Sequence, residues 1–286
     1  MATVATRQEG LDKFYTVPSV SKECLRILGE LYAWSTWDLI VEPSAGNGSF
    51  FLQIPCDKKI GLDIAPEHPS LRKQNFFDFS LENTFQKVLV VGNPPFGRVC
   101  SLALKFFNHA ASFASVVAFV IPRTFRRISL QNKINPLFHL VHDSDIPMDP
   151  CSFTPPMRAK CCFQIWEKKE TPRHMITPST THPDWNFLPY GPLDKDNQPT
   201  PPPNADFALR AYGGKCGEIC KDSLHTLRPK SWHWIKANID IDTLIQRFQS
   251  LDYSISQNTA RQNSVGRGDL VLLYESFMHE QTTEDS

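Results

Sequence analysis

The stretch DLIVEPSAGNG at residues 38–48 joins a short, mainly apolar run to a turn that contains two glycines. Residues 38–41 are predicted to form a buried strand because apolar side chains follow one another there. Gly46 and Gly48 allow the backbone to turn sharply and to approach a ligand closely. A strand followed by such a turn is typical of the first unit of an open α/β sheet.

The alternation of short apolar runs with helical patterns continues to residue 168. Further strands are predicted at residues 58–64, 87–91, 116–121, 138–146 and 160–166. Apolar residues at helical spacing predict helices at residues 18–34, with Ser19 as its cap, and at residues 101–114. Strands that alternate with helices favour a doubly wound α/β sheet.

The chain beyond this core has a different character. Residues 171–204 are rich in proline and lack periodicity, so they are interpreted as a linker or an extended surface loop. Strands are then predicted at residues 207–212, 232–237 and 269–274, and a helix at residues 240–251. We therefore expect a core domain at residues 1–170, the proline-rich segment, and a small C-terminal α+β unit at residues 205–286.

Composition narrows the class of protein. The 30 basic and 30 acidic residues among 286 cancel, which argues against a broadly basic coat protein but leaves room for a local basic cleft. No apolar run is long enough to span a membrane, and the N-terminus lacks the apolar stretch of a signal peptide. The eight cysteines lack zinc-site spacing, so no metal site is expected. A soluble intracellular protein of the cytoplasm or nucleus, with reduced thiols, is predicted.

The stretch NPPF, from Asn93 to Phe96, directly follows a predicted strand. Open α/β sheets place reactive groups at such strand ends. The side-chain oxygen of Asn93 and the carbonyl oxygen of Pro94 can accept both hydrogens of an aromatic amino group, which turns its lone pair toward an electrophile. Pro94 and Pro95 stiffen the loop, and Phe96 offers a flat face to the target ring. A simple turn that ends the strand is the competing interpretation.

Two acidic residues occupy positions suited to a nucleoside-containing ligand. Asp63 ends the second predicted strand and can accept both ribose hydroxyls. Asp78 can accept a hydrogen bond from an adenine amino group, with Ile64 or Phe79 packed on the ring. The alternatives are an Asx turn of Asp63 before Pro66 and a solvated loop acid at Asp78.

These motifs together resemble the class I S-adenosylmethionine-dependent methyltransferases that modify amino groups. The matching parts are the segment at residues 14–18, which begins Phe-Tyr-Thr, the glycine turn, Asp63, Asp78 and NPPF. The set is most similar to the adenine-N6 enzymes of the gamma motif order, in which target recognition comes last. The resemblance covers about residues 12–168 and implies a Rossmann-like, seven-stranded methyltransferase sheet with S-adenosyl-L-methionine as cofactor.

The resemblance also implies roles for individual residues. Tyr15, Thr16 and Pro18 would lie near the methionine end of the cofactor. The residues expected to line the cofactor pocket are Glu42, Pro43, Ser44, Gly46, Asn47 and Gly48. By the same resemblance, Asp63 would hold the ribose and Asp78 the adenine, with Ile64 and Phe79 beside it, and NPPF would be the catalytic loop.

Contacts with a nucleic-acid substrate are expected from two places. Phe153 is a candidate to pack on an extruded base, against the alternative that it caps the core. Arg123, Arg126 and Arg127 follow a strand whose end lies at the same sheet edge as NPPF, so they are candidates to bind phosphates, or else form a solvated helix start.

A mixture of basic and aromatic residues in the C-terminal unit suits nucleic-acid contact, but alternating strand positions with a buried tryptophan face explain the same residues and are the favoured interpretation. These residues are Arg228, Lys230, Trp232, Trp234 and Lys236.

The function predicted from the sequence is S-adenosylmethionine-dependent methylation of adenine N6 in nucleic acid, with DNA favoured over RNA. The C-terminal unit would then recognise the substrate. Three alternatives remain open at this point. They are an RNA adenine-N6 methyltransferase, a protein glutamine methyltransferase with a similar loop, and an inactive nucleic-acid-binding relative that keeps the fold.

Overall fold

The computed structural model describes residues 13–81 and 84–284. The chain forms two compact units, Met1–Met175 and Ile176–Ser286. We take each in turn. The first contains twelve helices and strands in its described part: β1 Tyr15–Thr16, α1 Pro18–Leu31, β2 Leu39–Glu42, β3 Lys59–Asp63, β4 Arg72–Lys73, β5 Val88–Gly92, α2 Ser101–Ala110, β6 Val116–Pro122, α3 Ile128–Gln131, β7 Phe138–Asp145, β8 Phe153–Thr154 and β9 Cys161–Lys168.

The central sheet of the first unit has seven strands in the order β4-β3-β2-β5-β6-β9-β7. All neighbours are parallel except β9, which runs antiparallel to both β6 and β7. The predicted α/β class and the seven-stranded Rossmann-like sheet are therefore confirmed. The chain changes direction across the sheet between β2 and β5, and ligands of open α/β sheets bind at the carboxyl ends of such strands.

The middle of this sheet is covered on both faces, as its continuous apolar runs require. Val88 and Val90 of β5 point into one cluster, which includes Phe107 of α2. Leu89 of the same strand points into a second cluster, with Leu28 of α1. Alternate residues of one strand therefore serve two cores, which fixes the register of β5 and the position of the loop that follows it.

Helix α1 differs from its prediction at both ends. Its N-cap is Val17 and Pro18 occupies the first turn, so Ser19 is not the cap. Proline is favoured at that position because it has no N–H group to leave unpaired. The helix ends at Leu31, and residues Trp34–Thr36 form a separate 3-10 turn.

The second unit contains a four-stranded antiparallel sheet and two helices in its described part: β10 Trp185–Phe187, β11 Phe207–Arg210, β12 Ile219–Cys220, β13 Trp232–Ala237, α4 Ile241–Gln249 and α5 Arg267–Glu284. The strand order is β10-β13-β11-β12. Strand β10 lies inside residues 171–204, so the predicted linker contributes an edge strand to this sheet. Proline on both sides of a three-residue strand had concealed it.

The strand predicted at residues 269–274 is wrong, because these residues lie within the 18-residue helix α5. Leu270, Val271 and Tyr274 are buried and pack with Leu244 and Phe248 of α4. Their spacing is that of one helix face. A short continuous apolar run does not distinguish a buried strand from a buried helix turn, and length decides between them.

Across residues 13–81 and 84–284, no helix is long and apolar enough to cross a membrane. Within the same residues, no three His, Cys, Asp or Glu side chains form a group that could hold a metal ion. The eight cysteines are free thiols.

Candidate active site

The loop after β2 turns where the glycines were predicted to permit it. Gly46 has a φ of 53° and Gly48 a φ of 87°. The carboxylate of Asp63, at the end of β3, accepts hydrogen bonds from the backbone N–H groups of Gly46 and Ala65, each at 2.8 Å. The bond to Ala65 is an Asx turn, and the bond to Gly46 ties the ends of two neighbouring strands together. Each carboxylate oxygen keeps further acceptor capacity, so a ribose contact by Asp63 stays a prediction.

The aromatic ring of Tyr15 lies directly over this glycine turn. A Cβ atom added at Gly46 would lie 2.8 Å from Cδ1 of Tyr15, so no larger residue fits beneath the ring. The Tyr15 hydroxyl donates to Glu67, whose own backbone N–H donates to the carbonyl oxygen of Gly46 at 2.9 Å. Lys13 completes the group with an ion pair to Glu67 at 3.2 Å.

Two buried side-chain oxygens, one in β1 and one in β2, have no hydrogen-bond partner in the described part of the chain. Glu42, the last residue of β2, is 2% exposed, and its Oε2 has no hydrogen-bond partner among the described residues. Burial raises the pKa of Glu42 to about 8, so its carboxyl group is largely protonated at neutral pH. Thr16 in β1 is 2% exposed, and its Oγ1 is likewise unpartnered there.

Asn93 is held in one orientation by its neighbours. Its side-chain nitrogen donates to the carbonyl oxygen of Phe14 at 3.1 Å. Its own carbonyl oxygen accepts a hydrogen bond from the Ser44 hydroxyl, also at 3.1 Å. The remaining polar atom, Oδ1, is buried with no partner in the described part of the chain. Because the nitrogen faces a carbonyl, the amide orientation is fixed and the oxygen is the free acceptor.

The buried acceptors of Thr16, Glu42 and Asn93 belong to adjoining segments. Gly92, which precedes Asn93, packs so closely on Glu42 that a Cβ there would lie 3.1 Å from its Cγ. Phe14, whose carbonyl oxygen binds Asn93, directly precedes strand β1, which contains Tyr15 and Thr16. Native proteins rarely leave buried acceptors unpaired, and such groups commonly mark a place that a ligand satisfies.

Other residues predicted for the cofactor pocket differ in exposure. Ile64 is 48% exposed and Asp78 is also exposed, so both remain open to a ligand. Phe79 is 5% exposed and packs in the core against Phe113, with ring centroids 5.7 Å apart. Phe79 is therefore largely a core residue with little surface open to a ligand, and its contact with the adenine ring stays a prediction.

Three more pocket residues are placed by local structure. Asn47 accepts hydrogen bonds from the backbone N–H and the hydroxyl of Ser49, so it stiffens the glycine turn. Pro43 is buried, and Pro18 is exposed at the start of α1.

Phe153 is buried in the core. It pairs with Thr16 through strands β8 and β1, and its side chain is 3% exposed in the core cluster that Phe96 also contacts. The alternative interpretation, a phenylalanine that completes the core, is correct. Phe96 itself is only half-buried, so part of its surface remains open.

The arginines after β6 are largely engaged within the protein. Arg123 forms an ion pair with Asp145 at 2.8 Å, and Arg126 binds both carboxylate oxygens of Asp143 and contacts Asp145. The predicted phosphate contacts of Arg123 and Arg126 are not supported, because two strand carboxylates already neutralise them. Arg127 is partly exposed and stays a prediction.

The tryptophans of the second unit resolve another open alternative. Trp232 is 9% and Trp234 is 1% exposed, in a small cluster that also contains Ala208. Lys236 forms an ion pair with Asp206 at 2.6 Å. The buried tryptophan face, rather than a stacking surface, explains this pattern.

Sequence reasoning missed Glu67 and the tip of the loop after NPPF, Arg98 and Val99. Glu67 meets Tyr15 only through the fold, so no local pattern reveals it. Arg98 and Val99 lie two and three positions after Phe96, and that proximity to the motif was the available signal.

No family model matches the chain, and no curated protein matches it. Three solved structures resemble it in fold. A candidate class I S-adenosylmethionine-dependent methyltransferase from Listeria monocytogenes is 13% identical, with a TM-score of 0.45 over 55% of this chain and 61% of its own length. A candidate RNA methyltransferase from Pyrococcus horikoshii is 16% identical, with a TM-score of 0.40 over 55% and 87% of the two chains.

The third structure is magnesium protoporphyrin IX methyltransferase from Synechocystis, solved with bound S-adenosylmethionine. It is 10% identical, with a TM-score of 0.38 over 53% of this chain and 81% of its own. Likeness at these values concerns the fold alone, and we rest nothing further on it.

Proposed function

We propose that this protein is an S-adenosylmethionine-dependent methyltransferase that methylates the exocyclic N6 amino group of adenine in nucleic acid, with DNA as the favoured substrate. The observation that supports this most strongly is the orientation of Asn93. Its nitrogen is fixed by the Phe14 carbonyl, and its buried oxygen is left without a partner at the end of a central strand.

The cofactor side of the site fits S-adenosylmethionine in chemistry. Glu42 and Thr16 provide buried acceptors without partners, and the turn at Gly46 leaves no room for a side chain. Asp63 would hold the ribose, and Glu42 would face the positively charged methionine portion. A buried carboxyl group is costly to ionise alone, and a bound cation offsets that cost. When bound, S-adenosylmethionine supplies a methyl group on a positively charged sulfur, which is a strong electrophile.

The substrate side addresses the main chemical difficulty of amino methylation. The lone pair of an adenine amino nitrogen is delocalised into the ring, so the nitrogen is a weak nucleophile. Asn93 Oδ1 and the Pro94 carbonyl would accept its two N–H groups and favour a pyramidal nitrogen. Methyl transfer would form an N–C bond, break the S–C bond to leave S-adenosylhomocysteine, and release one proton from nitrogen to solvent. Because these acceptors are fixed beforehand, they need no reorganisation during the reaction.

The same residues also hold the target in place. Phe96 is half-buried against the core and keeps part of its surface open, which suits packing on a planar base. Pro94 is buried and Pro95 half-buried, so the loop between Asn93 and Phe96 is stiff. Positioning of this kind accounts for much of the rate enhancement in transfer between two bound groups.

The assignment to nucleic acid rests on the NPPF motif and the gamma order of the motifs. The test is to incubate the protein with S-adenosylmethionine labelled in its methyl group and, in parallel, with unmethylated DNA, total RNA or a protein extract. Label recovered as N6-methyldeoxyadenosine after digestion of the DNA is the expected result. Label only in RNA or only in glutamine would reassign the substrate. No label in any pool, with cofactor binding intact, would support the inactive relative instead.

A further inference from the structure

The loop between NPPF and α2 is closed at its base and projects a short tip. The carbonyl oxygen of Phe96 accepts hydrogen bonds from the backbone N–H groups of Leu102 and Ala103, at 3.2 and 3.3 Å. Residues 97–101 therefore leave the motif and return to it as one small excursion, which we call the 97–101 protrusion. Cys100, on its returning side, is 4% exposed and anchors it in the core.

The backbone of the protrusion adopts an unusual conformation. Gly97, Val99 and Cys100 have φ angles of 66°, 51° and 61°. Gly97 suits such an angle, and a Cβ there would lie 2.7 Å from Cβ of Leu102. Val99 does not suit it, because a β-branched residue is strongly disfavoured in the left-handed region. Strain of this kind persists only where the surroundings impose it, and it is concentrated at functional sites.

Val99, the strained residue, is also exposed to solvent. Val99 is 78% exposed, which is the highest value for a large hydrophobic residue in the described part of the chain. A single exposed hydrophobic side chain needs no explanation by itself. Val99 differs because its backbone is strained and because it lies in the loop that contains the catalytic motif. This combination does need an explanation. Its neighbour Arg98 is exposed and forms no ion pair with any described residue.

We propose that this tip opens duplex DNA beside the target adenine. Val99 enters the base stack and occupies the space that the extruded adenine leaves, while Arg98 binds a neighbouring backbone phosphate. This inference rests on the proposed function, since an adenine inside a duplex must leave the stack before its amino group can reach Asn93. Apolar side chains inserted between base steps are an established means of unstacking them, and arginine is well suited to phosphate.

A rigid tip serves this role better than a flexible one. The bonds from Phe96 and the burial of Cys100 fix the protrusion before DNA arrives, so little conformational freedom is lost on binding. Arg98 is an exposed cation next to NPPF, whereas Arg123 and Arg126 form ion pairs with strand carboxylates. Arg98 thus supplies the phosphate contact that those two residues were predicted to make.

The test compares an unmethylated duplex of mixed sequence with the same DNA after heat denaturation. For Val99→Ala, we expect the methylation rate on the duplex to fall at least about tenfold, while the rate on single strands stays within about twofold, because only the duplex must be opened. Val99→Gly removes the side chain and relieves the strained angle, so it should fold at least as well and show the same loss. Leu31→Ala, at an exposed apolar position of α1, is the matched control and should change neither rate.

Two further readouts separate the roles of the two tip residues. Once the methylated site is mapped, placing its adenine opposite a mismatched base should restore the rate of Val99→Ala, since a mismatched base leaves the stack more easily. Arg98→Ala should lower the slope of log affinity against log salt concentration by about one. An equal loss on duplex and single-stranded DNA, or no loss on either, would overturn this inference. Absence of methylation by the wild-type protein on both forms would instead overturn the proposed function.

Discussion

The side-chain nitrogen of Asn93 donates a hydrogen bond to the carbonyl oxygen of Phe14, 79 positions earlier in the chain, at 3.1 Å. This contact joins the loop that follows β5 to the residue that directly precedes β1. It leaves the Asn93 oxygen as a buried acceptor without a described partner. The side-chain amide of Asn93 therefore connects the segment expected to bind the cofactor with the loop expected to bind the substrate.

Replacing Asn93 by alanine should abolish transfer and spare cofactor binding. We expect the rate to fall by about 10²–10³-fold, as for the loss of one preorganised polar group at a reacting centre. Affinity for S-adenosylmethionine, measured by titration calorimetry, should stay within about threefold, because the acceptors of Glu42 and Thr16 are retained. Joint loss of folding and cofactor binding would show that Asn93 only ends a strand.

If Glu42 faces the bound cofactor as proposed, cofactor binding should depend on pH. Its pKa is about 8 in the free protein, and a bound cation favours the ionised form. Affinity for S-adenosylmethionine should therefore rise by up to about tenfold per pH unit from about pH 5 to 7, where an α-amino group stays mostly protonated. Glu42→Gln should bind more weakly with a nearly flat profile. An unchanged slope in that variant would contradict the assignment.

Glu42 also predicts how the stability of the cofactor-free protein changes with pH. Below the ordinary pKa of 4.5, Glu42 is protonated in both the folded and the unfolded chain. Between 4.5 and about 8 the unfolded chain ionises while the folded protein does not, so the stability that Glu42 contributes is lost as pH rises through this range. Denaturant unfolding at several pH values should show that Glu42→Gln flattens this part of the stability profile.

Gly46 is required for two separable reasons, its positive φ and the ring of Tyr15. A residue with a Cβ in the left-handed region costs about 1–2 kcal/mol by itself. Gly46→Ala should lower the free energy of unfolding by more than this amount. In the double variant, Tyr15→Ala should restore the part of the stability loss that exceeds the cost of the backbone angle, because it removes the ring that the new Cβ would contact. Gly213→Ala is the matched control, since Gly213 also has a positive φ but no atom within 4 Å of an added Cβ. Equal losses at both glycines in urea unfolding would exclude the Tyr15 contact.

Arg126 should prove structural rather than a contact to DNA. It binds Asp143, which also accepts a hydrogen bond from Gln164 at 2.8 Å, and both carboxylate and guanidinium are largely buried. Arg126→Ala should lower the free energy of unfolding by roughly 2 kcal/mol, because it leaves a carboxylate without its cation. The salt dependence of DNA binding should not change. A reduced salt slope with unchanged stability would restore the phosphate role.

Much of the first unit was predictable because its central strands are buried on both faces. The runs in β2, β5 and β6 are apolar and short, as expected for parallel strands that are covered on both faces. Strand β4, Arg72–Lys73, is exposed and two residues long, so it has no apolar pattern to detect. The strand predicted at residues 269–274 was wrong for the opposite reason. Its apolar run also fits one face of a helix, and hydrophobicity alone does not decide between the two.

The candidate site was predictable in its local parts and not in its long-range ones. Gly46 and Asn93 follow strands in short turns, so their types and order identify them. The contact of Tyr15 with Glu67 depends on how two loops meet, and the burial of Phe79 and Phe153 depends on which core each faces. Such facts belong to packing, which a single sequence does not display.

The most direct test of the central claim is mass analysis of nucleosides from unmethylated DNA that has been treated with S-adenosylmethionine and either the wild-type protein or Asn93→Ala. The account requires N6-methyldeoxyadenosine with the wild-type protein and its near absence with the variant, although both bind the cofactor. Equal amounts with both proteins would contradict the role of Asn93. DNA left unmodified by a wild-type protein that binds the cofactor would contradict the function itself.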